Sequence, residues 1–234
     1  MITTENILAS AKKTVLAESE AISNLVNYLD DNFVKSVEAI FSSKGRLVVT
    51  GIGKSAIIAQ KIVATLNSTG TPSLFLHASE AIHGDLGMVQ PDDVVICISK
   101  SGNSPEIKVL VPLLKRFNNK LIAITGNITS FLGKEADYTL NTYVEKEACP
   151  NNLAPTNSTT AQLVIGDAIA VCLMEMRNFS AEDFAKYHPG GALGKKLLLR
   201  VGEMLDTTHK PSVSPDSSIK NVIVEISEKR LGVT

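Results

Sequence analysis

Apolar side chains recur at helical spacing through residues 3–43, so this part of the chain is predicted to form helices. The apolar positions that share one face are Ile7, Leu8, Val15, Leu16, Ile22, Leu25, Val26 and Leu29. A long helix with such a face needs another surface to cover it. A partner subunit commonly supplies that surface.

After residue 45 the pattern changes to short apolar runs separated by helix-forming segments. The runs lie at residues 46–50, 73–76, 94–98, 121–125 and 138–140. Further helices are predicted at residues 56–66, 157–177 and 219–229. This alternation predicts an α/β fold in which helices cover both faces of a parallel sheet, with ligands bound at the carboxyl ends of the strands.

The segment 99–106 follows the third apolar run and carries the hydroxyls of Ser99, Ser101 and Ser104. Ser104 is the predicted N-cap of the next helix, and Pro105 suits its first position. Free N–H groups and the helix dipole attract anions at such an end, so the segment predicts a phosphate site. A helix that is simply well capped fits the same residues, and on this segment alone both interpretations stay open.

A second turn repeats this design, because Gly51, Gly53 and Lys54 follow the first apolar run and precede a helix-forming segment. Its spacing matches neither the dinucleotide-binding pattern nor the P-loop pattern, since Ile57 and Ile58 stand where glycines would be needed. A nucleotide-binding fold is therefore disfavoured. Lys54 is placed to meet a phosphate or a developing oxyanion, although a solvated lysine at a loop tip fits the same position.

Composition excludes several classes of protein. The 234 residues are 44% hydrophobic and 20% charged, and the formal net charge of −1 gives no electrostatic case for a nucleic-acid partner. The N-terminus lacks a secretory signal and no apolar run is long enough for a bilayer, so we expect a cytoplasmic protein without a membrane partner. Cys97 and Cys172 lie in apolar segments and are predicted to be packing residues, whereas Cys149 lies in a polar loop.

Six motifs along the chain are informative together. They occupy residues 51–55, 83–88, 99–106, 146–150, 153–156 with 158–160, and 188–194. Together they resemble the arabinose 5-phosphate isomerase family, whose members carry a sugar isomerase (SIS) domain. The resemblance covers nearly the whole chain.

The resemblance implies a domain organisation. It places a SIS domain, a five-stranded parallel sheet sandwiched by helices, at residues 37–195, after an N-terminal helical segment at residues 1–36. Residues 202–234 resemble the start of a cystathionine-β-synthase (CBS) regulatory module, cut short within the chain.

The family interconverts D-ribulose 5-phosphate and D-arabinose 5-phosphate and so supplies Kdo for lipopolysaccharide. That reaction requires a base, a group that stabilises the enediolate oxygen and a phosphate anchor, but no metal or redox cofactor.

The matching catalytic positions are Lys54, Glu106, Glu147 and His188. The resemblance suggests Glu147 as the base and His188 as the group that exchanges protons between sugar oxygens. The resemblance also implies that Lys54 supplies positive charge at the enediolate or phosphate and that Glu106 is an orienting carboxylate. Without the resemblance, a surface glutamate and an ordinary loop histidine fit equally well.

The resemblance also implies contacts to the sugar phosphate. The matching positions are Ser55, Gly70, Thr71, His83, Ser99, Ser101 and Ser104. His77 matches a position linked to inhibitory zinc, which we treat as incidental because no cluster of ligands completes a catalytic zinc site. We therefore expect no cofactor.

Two residues depart from the family pattern beside the expected phosphate site. Lys100 stands where the family commonly carries Asn or Gln, and Asn103 replaces a usual acidic residue. Both changes reduce negative charge near the anion, which favours phosphate binding and leaves the preferred sugar open. Isomerisation of another sugar phosphate is one alternative. A non-catalytic sensor of sugar phosphates or nucleotide sugars is another, although a sensor would need the serines and not a base.

Assembly is the last expectation from the sequence. The resemblance implies a homotetramer with active sites shared between subunits. His188 lies in a Pro-Gly-Gly segment beyond the last core helix, from which it is expected to reach the sugar site of a neighbouring subunit.

Overall fold

The computed structural model describes residues 4–198, 210–230 and 232–234. The chain divides into two compact units, Met1–Tyr187 and His188–Thr234. The N-terminal helical segment and the sheet belong to the same unit. The CBS module expected at residues 202–234 lies partly outside the described residues, and that assignment stays a prediction.

The first unit alternates helices and strands as the apolar pattern predicts. Its strands are β1 (Leu47–Gly51), β2 (Ser73–His77), β3 (Val94–Ile98), β4 (Lys120–Thr125) and β5 (Tyr138–Asn141). Its helices are α1 (Thr4–Asn24), α2 (Asp31–Ser42), α3 (Lys54–Ser68), α4 (Ala78–Ala81), α5 (Pro105–Arg116), α6 (Phe131–Glu135), α7 (Asn157–Met176) and α8 (Ala181–Tyr187), with 3₁₀ turns at Leu25–Tyr28 and Asp85–Met88. The second unit contains α9 (Ala192–Leu198) and α10 (Ile219–Lys229).

The five strands form one parallel sheet in the order β2-β1-β3-β4-β5. Every residue of β1 and β3 is buried, which explains why these segments are continuous apolar runs in the sequence. The register pairs Gly51 with Ile98, and Ile98 with Ile124. The turns that follow β1, β3 and β4 therefore lie side by side at one edge of the sheet.

Helices cover both faces of the sheet. On one face α2, α3 and α7 pack against side chains such as Val49 and Ile96. On the other face α4, α5 and α6 pack against Val48 and Cys97. Cys97 is fully buried in this layer, which confirms its predicted packing role, and burial raises the pKa of its thiol to about 12.

Among the described helices, α7 alone is long and apolar enough to cross a membrane by length and composition. In this fold it packs against α1, α2 and α3. It also buries the polar side chains of Asn157, Ser158 and Gln162. These contacts make α7 a core helix of the first unit.

Helix α1 lies against α7, yet none of its residues is buried. Its apolar side chains Ile7, Leu8, Val15 and Leu16 are all exposed. Part of the predicted apolar face thus lies exposed on α1, whereas Leu25 lies in the following 3₁₀ turn and is buried.

A glycine fixes the turn that follows β3. Gly102 has a φ of +64°, and a Cβ atom there would lie 2.0 Å from Ser130 Oγ. The Gly102 N–H donates to Ser99 Oγ (3.1 Å), and its carbonyl accepts from the Leu132 N–H (3.0 Å). The turn is therefore held from both sides in a conformation that favours glycine.

We expect Gly102→Ala to lower the free energy of unfolding by about 1–3 kcal/mol, because the new methyl group requires both a strained φ and a displacement of Ser130. Urea denaturation measures the change. Gly87→Ala is the matched control, since Gly87 has no positive φ and no atom within 4 Å of the added Cβ. Equal stability losses in the two variants would contradict this account of the turn.

Candidate active site

The predicted phosphate turn lies at the carboxyl end of β3, and its three serines have different roles. Ser99 Oγ accepts the Gly102 N–H (3.1 Å), and Ser101 Oγ accepts the Asn103 N–H (3.3 Å). Ser104 has the extended backbone of an N-cap before Pro105, but its side chain makes no capping bond. The Ser104 hydroxyl is buried and has no hydrogen-bond partner among the described residues. It is therefore available to a ligand at the N-terminus of α5.

The turn after β1 contributes Lys54 and Ser55, the first two residues of α3. Ser55 Oγ donates to Gln162 Oε1 of α7 (3.1 Å). The Lys54 ammonium is exposed and makes no hydrogen bond or ion pair within the described part of the chain. Glu106, in the first turn of α5, likewise has no such partner there. Both charged groups are thus available to a ligand.

Glu147 is buried completely, with 0% of its side chain exposed. Its Oε1 atom accepts from Lys100 Nζ (2.5 Å) and from Ser158 Oγ (2.5 Å). Its Oε2 atom accepts from the Thr156 N–H (2.9 Å), the Thr156 hydroxyl (3.2 Å) and the Ser158 N–H (3.1 Å). Five donors therefore hold the two oxygens of this carboxylate.

These donors decide the protonation state of Glu147. Burial raises the pKa of the carboxyl group, but the hydrogen bonds from Lys100, Ser158 and Thr156 outweigh burial and lower the pKa to about 2. Thr156 and Ser158 are at the N-terminus of α7, where the helix dipole also favours negative charge. Glu147 is therefore ionised at neutral pH and has a low proton affinity.

Lys100 makes the contact that sequence reasoning missed. We expected its ammonium beside the phosphate, whereas the structure pairs it with Glu147, 47 residues further along the chain. Its main chain is anchored, because its carbonyl accepts from the Gly126 N–H (3.0 Å) and from Thr125 Oγ1 (3.3 Å). The ion pair joins the turn after β3 to the loop that carries the candidate base.

The loop at residues 147–156 is closed by its own hydrogen bonds. The Glu147 N–H donates to Asn152 Oδ1 (2.6 Å), and the Ala148 N–H donates to Thr156 Oγ1 (2.8 Å). Cys149 Sγ accepts the N–H groups of Leu153 and Ala154, and these bonds lower the pKa of the thiol. The loop therefore holds Glu147 in place without regular secondary structure.

The structure does not bring every predicted residue to this edge. Gly70 and Thr71 precede β2, so they lie at the amino end of the sheet, where Thr71 accepts a hydrogen bond from Arg177. His77 ends β2 with a buried Nδ1 atom that has no partner among the described residues, and His83 is exposed on the following loop. Their roles stay predictions.

Two further expectations, the catalytic role of His188 and the lack of a catalytic metal site, also stay predictions. His188 opens the second compact unit. For metals, the described residues contain no group of three or more His, Cys, Asp or Glu side chains that could hold an ion.

Comparison with known proteins shows the family of this chain. The SIS domain family matches residues 40–172. The arabinose 5-phosphate isomerase of Shigella flexneri is 53% identical over 226 residues, which cover 96% of this chain and 69% of that relative. The Pseudomonas aeruginosa enzyme of the same name is 48% identical over 230 residues, which cover 98% of this chain and 71% of that relative.

A solved structure supports the same assignment. It is an Escherichia coli protein in complex with arabinose 5-phosphate, which matches this fold with a TM-score of 0.77 at 41% identity and covers 80% of this chain and 100% of its own. The five-stranded SIS fold expected from the sequence is confirmed. The chain belongs to the arabinose 5-phosphate isomerases of the SIS domain family.

Proposed function

We propose that this protein is an aldose–ketose isomerase that interconverts D-ribulose 5-phosphate and D-arabinose 5-phosphate through an enediolate. One observation carries the proposal: a buried, ionised carboxylate, Glu147, is joined through Lys100 to a turn with an unpartnered hydroxyl at Ser104. The first group suits a base and the second suits a phosphate anchor. Relatives that are 48–53% identical and carry this activity in their names support the proposal.

The reaction divides into two proton transfers on carbon. Glu147 takes a proton from C1 of ribulose 5-phosphate, the C–H electron pair forms the C1–C2 double bond, and O2 becomes an oxyanion. Lys54 stabilises that oxyanion with its positive charge. His188 exchanges a proton between O1 and O2, and Glu147 returns its proton to C2, which yields the aldose. Glu106 orients the sugar.

The phosphate is held by the turn after β3. Ser99, Ser101 and Ser104 present hydroxyls there, and the first turn of α5 presents N–H groups that have no carbonyl partner one turn earlier. These contacts persist from the bound substrate to the transition state. They therefore contribute to affinity more than to the rate of the bound complex.

Glu147→Gln should lower kcat roughly 10²-fold or more, because the amide keeps the volume of the side chain but cannot accept the carbon-bound proton. Steady-state kinetics with ribulose 5-phosphate measures the change, and circular dichroism verifies the fold. Glu145→Gln is the matched control, since Glu145 is an exposed glutamate two residues away. An unchanged kcat in the folded Glu147→Gln protein would exclude Glu147 as the base.

Ser104→Ala should raise KM by roughly 10-fold or more while kcat stays near that of the unchanged protein, because a hydrogen bond to a charged group is lost only when phosphate is bound. The empty protein loses no hydrogen bond in this variant, so its fold is preserved. Ser42→Ala is the control, since among the described residues that hydroxyl bonds only to carbonyls of its own helix. A collapse of kcat at unchanged KM would remove the anchor role from Ser104.

The proposal includes assembly as a homotetramer with shared active sites. The uncovered apolar face of α1, which carries Leu8 and Val15, is a surface that a neighbouring subunit would bury. His188 would then serve the sugar site of a neighbouring subunit. The oligomeric state is measured directly by light scattering.

Subunit mixing tests whether the sites are shared. Chains with His188→Ala and chains with Glu147→Gln should each be nearly inactive, and mixed oligomers formed after dissociation and reassembly should regain activity through hybrid sites that hold both intact groups. Reassembly of each variant alone is the control. If verified mixed oligomers stay inactive, the two residues act within one chain.

A further inference from the structure

We propose that Lys100 is a phosphate-responsive positioning residue, which holds the Glu147 carboxylate through an ion pair and releases it when the phosphate of the substrate occupies the turn after β3. The inference rests on the proposed function. It assigns to one residue the link between substrate binding and the strength of the base.

The first step of the argument is the position of Lys100. It lies between Ser99 and Ser101, two of the residues proposed to hold the phosphate, and its main chain is anchored by Thr125 and Gly126. Its ammonium nevertheless contacts Glu147 Oε1 at 2.5 Å. A single side chain thus joins the phosphate turn to the candidate base.

The second step concerns which donor can leave. The N–H groups of Thr156 and Ser158 donate to Glu147 from the start of α7, so they cannot withdraw without unwinding the helix, and the hydroxyls of the same two residues are neutral donors. Lys100 has 45% of its side chain exposed and a flexible stem, whereas the Glu147 side chain is fully buried. Among the donors to Glu147 in residues 4–187, Lys100 is the charged one, and its side chain is free to move.

The third step is electrostatic. At the same separation, a phosphate dianion on the serines attracts the ammonium more strongly than one carboxylate does, because it carries the larger negative charge. When the ammonium moves to the phosphate, Glu147 Oε1 loses a charged donor and its proton affinity rises. The charge of Glu147 also acts on the nearby Cys149 thiol, and the donors to Glu147 other than Lys100 are neutral. The base would therefore gain strength at the moment when substrate is bound.

The pH dependence of kcat/KM tests whether Lys100 lowers the pKa of Glu147. In Lys100→Met the acidic limb of the pH profile should move to higher pH by roughly one unit or more, because the carboxylate loses its cationic partner. Lys100→Arg should restore a limb close to that of the unchanged protein. Lys146→Met is the control, since Lys146 is an exposed lysine beside Glu147 on the same loop. Lys100→Asn provides a second neutral variant if Lys100→Met does not fold.

A substrate divided into two pieces tests whether phosphate binding releases Glu147 from Lys100. Phosphate-free D-ribulose is assayed with and without inorganic phosphite, a dianion that fits the phosphate turn. Phosphite should accelerate isomerisation by the unchanged protein, and the acceleration should be lost in Lys100→Met and Lys100→Asn.

The outcomes separate the two hypotheses. An acid limb that stays in place in folded Lys100→Met, or equal acceleration by phosphite with and without Lys100, would overturn the role of Lys100. If the unchanged protein does not isomerise ribulose 5-phosphate at all, the proposed function fails instead.

Discussion

The burial of a single negative charge, the carboxylate of Glu147, constrains the rest of the site. An ion removed from water costs several kcal/mol unless charged and hydrogen-bonding partners surround it. Here the partners are the Lys100 ammonium and the N–H and O–H groups of Thr156 and Ser158. The end of β3, the loop at residues 147–156 and the start of α7 must therefore keep fixed positions relative to one another.

The sheet supplies those fixed positions. Parallel strands bring their carboxyl ends to one edge, and β3 occupies the centre of the sheet, so its turn is flanked by the turns after β1 and β4. Gly102 allows the close approach of Ser130, and the Gly126 N–H holds the carbonyl of Lys100. The flexible part of Lys100 is therefore confined to its side chain.

The sequence predicts the features that arise from local pattern. Strands buried on both faces appear as continuous apolar runs, and the start of α5 at Pro105 follows from helix-end chemistry. The contact between Lys100 and Glu147 has no local signal, because it depends on how loops distant in sequence meet at the sheet edge. Glutamate is also rarely buried, so composition gave no reason to expect five donors around it. The placement of Gly70 and Thr71 at the amino end of the sheet likewise has no local signal, and it becomes clear only from the topology of the sheet.

The surroundings of Glu147 bear on the choice between an enzyme and a sensor. A protein that only binds a sugar phosphate needs hydroxyls and a helix N-terminus, which Ser104 and α5 already provide. It gains nothing from a buried carboxylate beside that turn. An enzyme does gain a base, but the donors that stabilise the buried charge also weaken the base, since each bond that lowers its pKa lowers its proton affinity. The proposed release of Lys100 would satisfy both demands, because a strong donor leaves when substrate arrives. Helix N–H groups cannot leave, whereas a lysine whose stem lies in the phosphate turn can.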